Sequence, residues 1–113
     1  MENVLVKKLD VLDLESIQNA VIKGVQKFGQ IDVLLNNAGY GAYGTLESFS
    51  REKIVRQFNT TVIGLLDVGK AILSHFRQNK SGIIINMSSI GGKIIFPLGA
   101  LYHGTKFAVE VIS

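Results

Sequence analysis

The chain has 113 residues, with 47% apolar and 19% charged side chains, no cysteine and a net charge of +3. That composition belongs to one folded domain with a core, and it excludes a disordered tail, a disulfide framework and a thiolate metal site. The scattered basic residues form no stripe with interleaved aromatics, no apolar run approaches the ~20 residues that cross a bilayer, and the start Met1-Glu2-Asn3-Val4-Leu5 lacks a secretion-signal pattern; the expectation is a cytoplasmic protein with neither nucleic acid nor membrane as partner.

Val4-Leu5-Val6 is short and β-branched, which predicts a strand ending near Leu9 and flanked by Lys7-Lys8. Asp13 can cap a helix, with Glu15 well placed in its first turn. Leu14, Ile17, Val21, Val25 and Phe28 then recur at helical spacing, and Gly29 suits a C-terminal cap. Ile31 to Leu35 is apolar except for Asp32, the pattern of a strand buried on both faces. Asn36 to Gly44 holds three glycines and no periodicity, which predicts a loop.

Ser50 can cap one long helix whose apolar face runs through Ile54, Phe58, Val62, Leu65, Gly69, Ile72 and Phe76. Arg77 and Lys80 suit its negative end. Ser81-Gly82 turns into Ile83-Ile84-Ile85, a second strand of the fully buried kind. Gly91, Gly92, Pro97 and Gly99 mark an irregular connection, and a last helix runs from near Ala100 to the end at Ser113. Strands alternating with helices predict an α/β doubly wound parallel sheet in a single domain. In such sheets ligands bind outside the carboxyl ends of the strands. Here those ends are Leu9-Asp10, Asn36-Asn37 and Ser88-Ser89, where polar and glycine residues gather.

Tyr102 and Lys106 lie four apart at the start of the last helix and so share one face. A free tyrosine, with a pKa of about 10, is a poor acid/base at neutral pH. An ammonium within ~4–6 Å favours the phenolate, and the tyrosine can then exchange a proton with an alcohol or carbonyl oxygen. A hydroxyl opposite would hold that oxygen, and Ser89 at the mouth of a strand is placed to do so. An isolated Tyr-x-x-x-Lys can equally be an exposed tyrosine beside a solvated lysine, so its weight depends on its surroundings.

Those surroundings are Asp10-Val11 at the first strand end, Asn36-Asn37-Ala38-Gly39 after the second, Asn59 on the long helix, and Asn86-Met87-Ser88-Ser89 closing the third, with Ser89 thirteen positions before Tyr102. In this order and spacing they resemble the short-chain dehydrogenase/reductase family, in its short single-domain branch, from Asp10 to the end. The resemblance implies a Rossmann-type NAD(P)-binding domain and an oxidoreductase that interconverts a secondary alcohol and a ketone using NAD or NADP. It implies that Tyr102 is the acid/base and that Lys106 assists it and binds the nicotinamide ribose. Ser89 would position the substrate oxygen, and Asn59 would hold a water linking Lys106 to a proton relay. Asp10 and Val11 would contact adenine, and Asn37, Ala38 and Gly39 would line the cofactor trough, with Tyr102 and Lys106 at its inner end. It also implies a small carbonyl or alcohol as substrate, and a homo-oligomer built through the long helix and the helix of Tyr102.

Each role has a plainer competitor. Asp10 could merely end a strand, Asn59 could be a surface residue, and Ser88 could replace Ser89, although spacing favours Ser89. His103 points about 100° away from Tyr102 on the helix and reads as a lining or surface residue. His75 reads as solvated, Met87 as core, and Tyr40 and Tyr43 as packing or substrate-contacting loop residues.

The family's phosphate-binding turn, Thr-Gly-x-x-x-Gly-x-Gly, does not occur in the chain, and Gly91-Gly92 follows the wrong strand to replace it. The expectation is therefore a central fragment: a partial doubly wound sheet lacking the family's first two strands and its C-terminal strands. In the order 3-2-1-4-5-6 the strand near Val4 would have no neighbour, and Ile31 to Leu35 would expose an apolar edge. Such a chain is expected neither to fold stably nor to turn over substrate alone. Two other readings compete: an inactive Rossmann binding or regulatory fragment, and an extended-branch epimerase or dehydratase. An intact Ser89, Tyr102, Lys106 and Asn59 oppose the first, and Asn36 to Gly39 opposes the second.

Overall fold

A computed structural model of the chain describes residues 2–113. Helix α1 (Leu14–Phe28) begins where the Asp13 carboxylate accepts the Glu15 amide at 3.0 Å. It ends where Gly29, at φ 83°, donates its amide to Val25. Strand β1 (Val33–Asn36) follows. A 3₁₀ turn over Leu46–Ser48 leads to α2 (Arg51–Phe58), capped by the Ser50 hydroxyl accepting from the Lys53 amide. Then come α3 (Gly64–Asn79), β2 (Ile83–Asn86), a 3₁₀ turn over Ile90–Gly92, and α4 (Ala100–Ile112). No helix among the described residues is long and apolar enough to cross a membrane.

β1 and β2 pair in parallel, with Val33 opposite Ile83 and Asn36 opposite Asn86. The parallel α/β expectation therefore holds for this pair. The strand expected over Val4 to Leu9 does not form: it has no ladder partner, and a strand exists only through the bonds it shares with another. Val6 is 85% exposed. β1 also starts two residues later than the apolar run suggests and continues through Asn36.

The pattern of burial on both faces is not realised either. Val33, Leu35, Ile83 and Ile85 are 46–59% exposed, because they share one face of the pair while α3 packs on the other, where Ile84 lines a cavity with Leu73 and Phe76. The long helix differs from expectation as well. A π turn over Asn59–Ile63 joins α2 to α3, and the Gly64 amide reaches back five residues to the Asn59 carbonyl. Below this turn the buried row is apolar, with Leu65, Val68, Ile72 and Phe76. Above it, where α2 and the turn pack on α4, the buried row is Gln57 and Thr61, one position earlier than the apolar stripe predicts. On α1 only Ile17 of the predicted stripe is fully buried, while Leu14 and Phe28 stay exposed. His75 is not simply solvated: its Nε2 accepts the Ile31 amide at 2.9 Å and so ties α3 to the start of β1.

Candidate active site

The carboxyl ends of β1 and β2 lie side by side, joined where Asn36 Nδ2 donates to Asn86 Oδ1 at 3.0 Å and the Met87 amide donates to the Asn36 carbonyl at 2.9 Å. α4 crosses this edge. Its Lys106, only 6% exposed, donates from Nζ to the Met87 carbonyl at 2.9 Å. Nζ lies 5.9 Å from the centre of the Tyr102 ring, so the helical pair meets as its spacing predicts. An ammonium has three protons to give, and this bond uses one.

Tyr102 and Ser89 line one cavity of about 290 Å³, together with Gly41, Tyr43, Phe96 and His103. The Ser89 hydroxyl accepts the Gly91 amide at 2.9 Å, which leaves its own proton free to point at a ligand. The Ser88 oxygen is buried against Gly92 instead, outside this cavity. Tyr43 packs its ring 5.7 Å from that of Tyr102, so this loop tyrosine belongs to the cavity wall. Met87, expected in the core, is 44% exposed and contributes its carbonyl, because it stands at the open end of β2.

Gly39 brings the loop after β1 to the same place. A Cβ there would lie 3.3 Å from the Thr61 hydroxyl and 3.8 Å from Lys106 Nζ. The missing side chain thus lets the loop backbone approach Thr61 and the ammonium closely, with Asn37 and Ala38 exposed just before it. Asp10 also stands at the surface, and one carboxylate oxygen accepts the Leu12 amide at 2.9 Å in the turn that leads into α1. Val11 packs on Gly64. Asn59, with Val11, Glu52, Arg56 and Asp67, lines a separate cavity of about 540 Å³, and its carbonyl is engaged in the π turn. Among the described residues, no cluster of His, Asp or Glu could hold a metal ion.

Two further residues hold this site and were not singled out by their spacing. Gln57, fully buried, donates from Nε2 to the Tyr40 carbonyl at 2.7 Å and pins the loop that follows Gly39. The Thr105 hydroxyl donates to the Tyr102 carbonyl at 2.7 Å. His103 is 3% exposed, a lining residue rather than a surface one. The available signal for Gln57 and Thr61 was their i, i+4 relation in register with Leu65 and Val68, which a search for apolar residues passes over. Beyond the cavity, Lys93 at 3.0 Å, and after it the Ser88 hydroxyl, hold the half-buried Glu110 carboxyl below the usual carboxylate range.

The family model described as short chain dehydrogenase matches residues 1–113. An uncharacterised oxidoreductase of Schizosaccharomyces pombe is 58% identical over all of this chain, which spans 48% of that relative. Among solved structures, ElxO with NADP bound superposes with a TM-score of 0.91 at 37% identity, covering 99% of this chain and 46% of its own. NAD+-bound xylitol dehydrogenase does so with a TM-score of 0.86 at 31% identity, over 92% and 40% respectively. The chain thus spans about half the length of the relatives it matches. Its Rossmann-like α/β arrangement, its strand-end site and these matches agree, and the chain belongs to the short-chain dehydrogenase family of oxidoreductases.

Proposed function

We propose that the chain carries the proton-transfer part of the active site of a nicotinamide-dependent oxidoreductase that interconverts a secondary alcohol and a ketone. The observation that carries this reading is that the hydroxyl-bearing side chains of Ser89 and Tyr102 line one cavity while Lys106 Nζ stands 5.9 Å from the Tyr102 ring. The family's cofactor also fits the residues present. Gly39 brings the loop so close that a Cβ there would stand 3.8 Å from Lys106 Nζ, whose two unused protons suit the paired hydroxyls of a ribose. Asn37 and Ala38 would extend that trough, and Asp10 and Val11 would border the adenine. When bound, NAD or NADP supplies or accepts the hydride.

In this reading the Ser89 hydroxyl donates to the substrate oxygen and fixes it opposite the phenol. Tyr102 takes the alcohol proton in oxidation and returns it in reduction. The Lys106 ammonium stabilises the phenolate that precedes proton uptake in oxidation and follows proton donation in reduction, and it stays oriented through Met87. Asn59 would act on this centre only through the water assigned to it by the family resemblance. A homo-oligomer of the whole protein is part of the proposal, supported by exposed Val55, Leu66 and Phe107 on the two helices concerned.

The test is Tyr102→Phe in the whole protein. Turnover is expected to fall by about 10²–10⁴-fold, the usual worth of a positioned acid/base, with cofactor binding retained. Turnover within a few-fold of the unsubstituted protein would sink the assignment.

A further inference from the structure

His103 follows Tyr102 directly, and its ring is held at both nitrogens. The Phe96 amide donates to Nε2 at 3.0 Å. Nε2 must therefore be bare, and in the neutral ring the proton sits on Nδ1. Nδ1 in turn faces the Gly91 carbonyl at 2.8 Å. Both bonds exist together only in this tautomer. The ring sits in a close socket, since a Cβ at Gly91 would lie 3.0 Å from Nδ1 and one at Gly99 would collide with Cδ2.

The bonds have a direction. Gly91, whose carbonyl receives the histidine proton, is also the residue whose amide donates to Ser89 Oγ at 2.9 Å. Phe96, held at the other nitrogen, lines the cavity shared by Ser89 and Tyr102. One side chain on the helical turn of Tyr102 thus anchors the opposite wall at two points, and one of these continues to the Ser89 hydroxyl.

We infer that His103, as the neutral Nδ1–H tautomer, is a positioning residue that sets the Ser89 hydroxyl against the Tyr102 phenol through Gly91. This rests on the function proposed above. Misplacing a reacting group by about 1 Å costs on the order of 10²-fold, so the effect falls on turnover more than on binding.

The experiment uses the whole protein with His103→Phe, which keeps a ring but neither bond, and His103→Gln, whose amide can donate and accept. His103→Phe is expected to lower kcat by about tenfold or more while the KM for the nicotinamide cofactor stays within about twofold, and His103→Gln is expected to recover part of the loss. A kcat within twofold for His103→Phe, or a loss carried only by KM, would overturn the inference. Should the variants not fold, two-bond ¹H–¹⁵N spectra of the unsubstituted protein decide. A protonated Nδ1 with a bare Nε2 at neutral pH supports the inference, and a protonated Nε2 overturns it. Tyr102→Phe measured in parallel separates the two claims. If it leaves turnover intact the reaction assignment fails, whereas if it abolishes turnover and His103→Phe does not lower kcat, only the positioning role fails.

Discussion

The corner where α2, the π turn and α4 meet, and the two-stranded sheet beside it, are built in opposite ways. In the corner the polar side chains of Gln57, Thr61, His103, Thr105 and Lys106 are at most 6% exposed, and each takes part in a hydrogen bond supplied by this same chain. In the sheet the apolar side chains of Val33, Leu35, Ile83 and Ile85 are roughly half exposed. Burying such a side chain contributes about 1.5–3 kcal/mol, so the sheet forgoes several of those contributions while the corner forgoes few. The candidate site is therefore organised by contacts internal to these residues, whereas the platform beneath it depends on surface that these residues do not cover.

The largest test of that contrast is the 113-residue chain alone. It is expected to show no cooperative thermal transition and no NAD(P)H oxidation. A soluble product with a sharp melt would mean that the corner suffices without a covered sheet. Next come two substitutions in the whole protein, read by chemical denaturation. Ile72→Ala, in the α3 core at 1% exposure, should cost about 2–5 kcal/mol. Ile85→Ala should cost about as much, because its run of three isoleucines is written for burial on both faces. A cost below about 0.5 kcal/mol at Ile85 would show that the sheet face stays open to water.

The smallest effect concerns Lys93 and Glu110 at the rim of the corner. The Glu110 carboxyl titrates lower in the folded chain than in the unfolded one, chiefly because of Lys93. Its stabilisation is then present above the ordinary carboxylate value and is lost as pH falls through the lowered folded value. Lys93→Met should flatten this acid-side fall in the melting temperature slightly, as suits a pair whose lysine is open to solvent. An unchanged pH profile would remove Lys93 as the cause.

Much of the fold is legible from particular residues. Asp13, Gly29 and Ser50 mark helix ends because a cap acts within three or four residues of itself. The strand run near Val33 and the isoleucines at 83–85 mark the pair that forms. The segment from Val4 to Leu9 misled because β-branched residues state a preference that only a partner can satisfy. The long helix misled because its upper buried row is polar, with Gln57 Nε2 donating to the Thr61 hydroxyl and the Tyr40 carbonyl.

By itself the sequence determined the alternation of strands and helices, the helix caps, and the one-face relation of Tyr102 and Lys106. All of these are set by distances of a few residues along the chain. Only the tertiary structure decided that Ser89, not Ser88, shares the tyrosine cavity, and that Lys106 is anchored on Met87. It alone placed Asn59 on another cavity and buried His103 between Gly91 and Phe96. Those outcomes join residues far apart in the chain, 19 positions for Lys106 and Met87, and depend on where the loops close and which backbone groups α4 meets there. Periodicity carries no information about either.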